Sequence, residues 1–178
     1  MTNVHQQHPP NHQHHRERGV SLTFARSVTV GRSVEDTFAY ASDFNRAYEW
    51  RAEVKASSAT PPGPMRLGSH LQEESVLAGR PVVTESVVDG YEAPHRWSFA
   101  HVSGPMAVSG DYVIAPVAGG AQMTYTLRVR LRGGWVVLGP LFRLTGGRMI
   151  DRSLAKFAEN LEAGPGAIGA QRGARDGH

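Results

Sequence analysis

The stretch "AQMTYTLRVRLR", residues 121–132, alternates without a break. Met123, Tyr125, Leu127, Val129 and Leu131 fall on one side, and Gln122, Thr124, Thr126, Arg128 and Arg130 on the other. Period two over this length is a β-strand with one face in a core and one in water, the pattern of an antiparallel sheet. Past Gly133-Gly134 the period becomes helical: Ile150, Leu154, Phe157 and Leu161 recur at helical spacing, up to Glu162. The pairs Gly139-Pro140 and Gly146-Gly147 predict a kink or break in the first half of this helix. A sheet with a dry face needs a cover, and this is the only long amphipathic element available to supply it.

Upstream, "VSLTFARSVTV" (20–30) is a strand placing Val20, Leu22, Phe24, Val28 and Val30 on one face, interrupted by Arg26. Ser33, with Asp36 three residues on, predicts a helix N-cap, and Val34, Phe38 and Ala41 follow at helical spacing. A second short helix is predicted from Asp43, carrying Phe44 and Ala47 toward Tyr48 and Trp50. Five further strand-like runs, "EVKASSAT", "GSHLQEESVLAG", "RPVVTESVVDG", "HRWSFAHV" and "MAVSGDYVIAP", then lead to the strand quoted first. Turns rich in Gly and Pro separate them, as in a meander.

The ends of the chain differ from this body. Residues 1–19, "MTNVHQQHPPNHQHHRERG", are polar, proline-broken and aperiodic, which predicts a disordered leader. Its five histidines are irregularly spaced and joined by no thiolate, so no metal site is predicted. Residues 164–178 read as a flexible tail after the helix stop at Gly164-Pro165. One domain over 20–163 is expected from 178 residues.

Composition narrows the function classes. There is no cysteine, which excludes disulfides, thiolate metal sites and a cysteine nucleophile. Net charge is +3, mostly from arginines in the two tails, and no dense basic patch suggests nucleic acid as a partner. No secretory h-region is visible, and "WVVLGPLF" is too short to span a bilayer, so a cytoplasmic protein without stable membrane insertion is expected. No phosphate loop, metal-ligand cluster or nucleophile elbow occurs, and no cofactor is expected.

The segments "RSVTVGRSVEDTFAYASD", "YEWRAEV", "GSHLQEE", "SVVDGYEAPHRWSF", "GDYVIAPVAGGAQMTYTL" and "LAKFAENLE" occur in that order and together span about residues 20–163. In order and spacing the chain resembles the START-like (SRPBCC) helix-grip superfamily, in its polyketide cyclase/dehydrase and lipid-transport branch. The resemblance implies an α+β fold, with a curved antiparallel β-sheet and two short helices wrapped around a long C-terminal helix. It also implies a largely apolar cavity between sheet and helix that binds hydrophobic small molecules. Some members carry out cyclase or dehydratase chemistry there; fold alone does not choose between these uses.

The dry faces then supply candidate lining residues: Trp97, Phe99, His101, Met106, Tyr112, Met123, Tyr125 and Leu127, with Phe142 from the helix. Large aromatics, methionines and an imidazole make an adaptable, amphipathic wall, although any one of them could equally pack in a solid core. For acid/base work the weak candidates are His101, which titrates near neutrality, Tyr125, and Glu73. Alternation turns Glu73 inward, where a carboxylate needs a partner, and Arg26 is one possibility. It places His70 with Glu74 on the other face and leaves the facing of Glu85 open. Arg51, beside Trp50, is either exposed or a guard at the cavity mouth. The leading expectation is a binding protein for a lipid, polyketide or similar molecule, the alternative a cyclase/dehydratase; the oligomeric state stays open.

Overall fold

A computed structural model describes residues 19–77 and 79–164. The leader and tail expected from the sequence lie outside them, apart from Gly19 and Gly164. The chain runs β1 (Val20–Val30), α1 (Val34–Ser42), a 3-10 helix (Phe44–Glu49), β2 (Val54–Thr60), β3 (His70–Leu77), β4 (Arg80–Glu92), β5 (Arg96–Ser103), β6 (Ala107–Val117) and β7 (Gly120–Leu131). A second 3-10 helix (Gly133–Leu138) then leads into α2 (Gly139–Ala163). The strands form one curved, wholly antiparallel sheet in the order β1-β7-β6-β5-β4-β3-β2. β2 to β7 are a meander, and β1 closes the far edge by pairing with β7 along its whole length, from Val20 opposite Leu131 to Val30 opposite Ala121. This is the helix-grip architecture.

The local signals explain the short elements. The Ser33 side chain accepts from the Asp36 backbone N–H at 3.0 Å, capping α1, while Val34, Phe38 and Ala41 enter the core. The strand faces follow the alternation: on β7 every residue of the inward series Met123, Tyr125, Leu127, Val129 and Leu131 is buried. On β4 the pattern is broken by register shifts between Glu85 and Ser86 and between Val88 and Gly90. Glu85 therefore faces outward, where it accepts a hydrogen bond from the Ser103 hydroxyl at 2.7 Å.

Of the two expected interruptions of the C-terminal helix, the one at Gly139-Pro140 occurs, where the 3-10 helix gives way to α2, and no break occurs at the glycine pair. Helix α2 continues through Gly146-Gly147, and both glycines are buried. A Cβ on Gly146 would lie 2.6 Å from the Phe24 ring, and one on Gly147 2.5 Å from the Arg26 guanidinium. The pair is a contact surface that lets α2 approach β1 closely, and its weak helix propensity is overridden by that packing. Arg26 also departs from expectation: it pairs with Asp151 of α2 at 3.0 Å, on the exposed side of the same contact. At the other end, the Asn160 amide donates to the Tyr40 hydroxyl at 3.2 Å and to the Glu49 carbonyl at 3.1 Å, tying α2 to the short helices.

Candidate functional site

The dry face of the sheet behaves differently at its two ends. At one end Trp97, Tyr112 and Tyr125 stand directly opposite one another on β5, β6 and β7. Their rings stack at centroid distances of 4.3 Å and 4.3 Å, with interplanar angles of 15° and 8°. Trp50 meets Tyr112 edge-on at 6.3 Å and Phe157 of α2 at 5.2 Å, closing the cluster from the helix side. Met123 and Ile114 are fully buried beside it. This end is solid.

Toward the first half of α2 the face opens into a cavity of about 110 Å³. Leu71 of β3, Phe99 of β5, Met106, Leu127 of β7, and Phe142 and Met149 of α2 form its apolar walls. The boundary between solid and hollow runs along Phe99, Gly110 and Leu127, which are cross-strand neighbours. Gly110 has no side chain where a Cβ would come 3.0 Å from the Phe99 ring, so that ring lies across the strand and faces the hollow.

One side of the cavity is charged. Arg51 follows the first 3-10 helix in a tight turn, its N–H bonded to the Ala47 carbonyl at 2.9 Å and its own carbonyl to the Val54 N–H at 3.0 Å. That turn sends its side chain inward, and Arg51 is only 8% exposed. The guanidinium donates through Nη1 and Nη2 to both oxygens of Glu73, the second at 3.1 Å, and through Nε to Glu53 at 3.1 Å. Ser75, two residues beyond Glu73 and on the same face of β3, donates to Glu73 at 3.0 Å. Ser153 of α2 reaches Glu53 at 3.4 Å. Burial opposes the arginine's charge, but Glu73, with Tyr125 and Glu53 behind it, holds its pKa well above the ordinary value. A buried arginine held by two carboxylates in a bidentate fork is a rigid group, because loss of either partner would strand a charge.

Of the residues proposed from the sequence, Phe99, Met106, Leu127 and Phe142 border the cavity, and Glu73 lies in its charged side. Trp97, Tyr112, Met123 and Tyr125 do not border it; they form the solid end. Tyr125 is fully buried, and among the described residues its hydroxyl has no hydrogen-bond partner of good geometry, only a marginal contact with Tyr112. Burial pushes its pKa up to about 12, with Arg51 acting against this and Glu73 reinforcing it, so the phenol keeps its proton throughout the neutral range. His101 stands outside the cavity, half-buried, and burial together with the nearby Arg132 charge lowers its pKa. Glu73 takes Arg51 as its partner in place of the expected Arg26. Arg51 is buried rather than exposed, and Glu53, Ser75 and Ser153 join it as site residues that were missed. Arg51 and Glu53 sit in a turn, where no periodicity orients a side chain, and this hid them.

Two larger surface grooves, of about 410 and 620 Å³, flank α1 and the first 3-10 helix. Neither is lined by a residue of β6 or β7, although the larger one includes Ala59 of β2 and Tyr91 of β4. Among the described residues no cluster of three or more His, Asp or Glu side chains could hold a metal ion. Nor is any described helix long and apolar enough to cross a membrane.

Comparison with known proteins agrees with this architecture. The structure is similar to the di-domain ARO/CYC BexL from the BE-7585A biosynthetic pathway, with a TM-score of 0.64 and 19% identity over 82% of this chain. This chain spans 51% of that di-domain protein. It is similar to a START superfamily protein from Mycobacterium smegmatis, with a TM-score of 0.63 and 16% identity, covering 79% of this chain and 97% of that one. A protein from Thermus thermophilus matches at a TM-score of 0.64 and 16% identity, over 84% and 99% of the two chains. At such identities these likenesses show the fold, and no curated protein matches the chain. The family model described as polyketide cyclase / dehydrase and lipid transport matches residues 21–162, nearly all of the described chain, and the protein belongs to that family.

Proposed function

We propose that the protein binds a small hydrophobic molecule with one polar end in the cavity between the sheet and the first half of α2. The observation that carries this reading is the cavity itself, apolar on most sides and bordered by one buried, ion-paired cluster. Apolar surface withdrawn from water supplies affinity at about 25 cal/mol per Å². The fixed polar cluster supplies orientation, as in small-molecule sites generally. Size sets a further limit. Apolar cavities of about 150 Å³ hold a benzene ring, so a space of about 110 Å³ encloses a short branched chain or most of one ring, and a whole ring needs some side-chain adjustment. A lipid or polyketide of greater length would have to extend beyond this space.

The acid/base candidates named from the sequence are placed for binding rather than turnover. His101 and Tyr125 lie outside the cavity, and both Glu73 oxygens are already engaged by Arg51, one of them also by Ser75. General acid/base catalysis needs a group within hydrogen-bond reach of the reacting atom and free to exchange its proton. The test is native mass spectrometry of freshly purified protein, paired with displacement of a polarity-sensitive dye. A co-purified small molecule that displaces the dye is the expected result. Protein free of any adduct and unable to enhance the dye's fluorescence would contradict the reading.

A further inference from the structure

The charged side of the cavity constrains what the polar end of a ligand can be, an inference that rests on the binding reading above. Arg51, Glu53 and Glu73 are the charged residues bordering the cavity, one cation against two anions, leaving one negative charge. Three of the arginine's five N–H groups are committed to protein carboxylates. Its Nε donates to Glu53 at 3.1 Å, and both terminal nitrogens donate to Glu73. The hydroxyls beside it are turned the same way: Ser75 donates to Glu73 at 3.0 Å, and Ser153 to Glu53 at 3.4 Å. Each of these donors is directed at a protein carboxylate.

Beside these donors the cluster keeps acceptor capacity for a ligand. A carboxylate offers about four lone-pair sites, and Glu53 Oε2 has as its contact only the long bond from Ser153. Thr84 and Ser86, the other polar residues bordering the cavity, are neutral hydroxyls that leave the charge balance unchanged. A ligand carboxylate entering here would face two carboxylates and an arginine already bound to both. In a low-dielectric space that repulsion is weakly screened. A hydroxyl or ammonium would find an open acceptor at Glu53, and the ammonium would also cancel the excess charge.

We infer that the cavity selects ligands whose polar end is a hydrogen-bond donor, an alcohol, phenol or amine, and discriminates against carboxylates, with Glu53 as the accepting residue. A matched series tests this on the full chain at neutral pH: ethylbenzene, 2-phenylethanol, phenethylamine and phenylacetate, each titrated calorimetrically. The alcohol and the amine should bind at least tenfold more tightly than phenylacetate. Glu53→Gln should weaken the amine several-fold while leaving ethylbenzene unchanged. Should that variant not fold, the series on the unaltered protein decides alone. Phenylacetate binding as tightly as the amine, or all four binding alike, would overturn the inference while leaving a binding cavity in place. Failure of all four to bind would remove the binding reading itself, and this inference with it.

Discussion

One face of one sheet is solid at the Trp97–Tyr112–Tyr125 end and hollow at the Phe99–Leu127 end, although both ends carry the same alternation of large apolar residues. The difference comes from what covers them. The second half of α2 brings Ile150, Leu154 and Phe157, all buried, and Trp50 fills the remaining gap. The first half brings Phe142 and Met149 to the cavity but turns Gly146 and Gly147 toward β1. Alternation states that a side chain faces inward; the opposing element decides whether it meets matter or space.

The comparison can be broken most forcefully by deleting large side chains on each side of the boundary. Trp97→Ala should cost about 3–5 kcal/mol in chemical denaturation, since a stacked, fully buried indole leaves a cavity that cannot collapse. Phe142→Ala, at a half-buried position lining the hollow, should cost only about 1 kcal/mol yet weaken ring-sized ligands. Equal losses would mean that the two ends are packed alike. Arg51→Ala should cost about 3 kcal/mol or more, because it strands Glu53 and Glu73 together. A neutral result by thermal melting would show the cluster to be solvated.

A third perturbation concerns the seam that holds α2 in place. Gly146→Leu inserts atoms where a Cβ already comes 2.6 Å from the Phe24 ring, and should cost about 2 kcal/mol by denaturant titration. A stabilising effect there would mean that the helix is free to move off β1. The smallest effect is expected at Tyr125. Its hydroxyl has no well-formed hydrogen bond among the described residues, so Tyr125→Phe should be nearly neutral at pH 7. The folded-state pKa of about 12 lies above the ordinary 10.0, so the folded form holds the proton more tightly. That stability is present in full below pH 10 and is lost as pH rises toward 12, by about 1.4 kcal/mol per pH unit. The Phe variant should show a shallower alkaline decline; an identical decline would assign the whole effect to other groups, Tyr112 among them.

Much of the fold was legible because its signals are local and periodic. The β7 alternation, the Ser33 cap and the spacing of Ile150, Leu154 and Phe157 each report on a face that the structure buries. The glycine pair was misread for a physical reason: sequence carries the intrinsic cost of glycine in a helix but not the proximity of Phe24, which makes the glycine necessary. The site was legible by halves. Phe99, Met106 and Leu127 are inward on regular strands, as are Trp97, Tyr112 and Tyr125, and nothing in their period separates cavity wall from core. Arg51 and Glu53, which charge the cavity, sit in a turn whose hydrogen bonds, to Ala47 and from Val54, set their direction.

The contrast between the two ends is tested most directly by methyl NMR of the methionines during titration with toluene. Met106 and Met149 line the cavity, whereas Met123 is buried in the solid end. The account predicts saturable shifts at Met106 and Met149 with Met123 unmoved. Shifts at Met123 equal to those at Met106, or no saturable shift at any methionine, would contradict it.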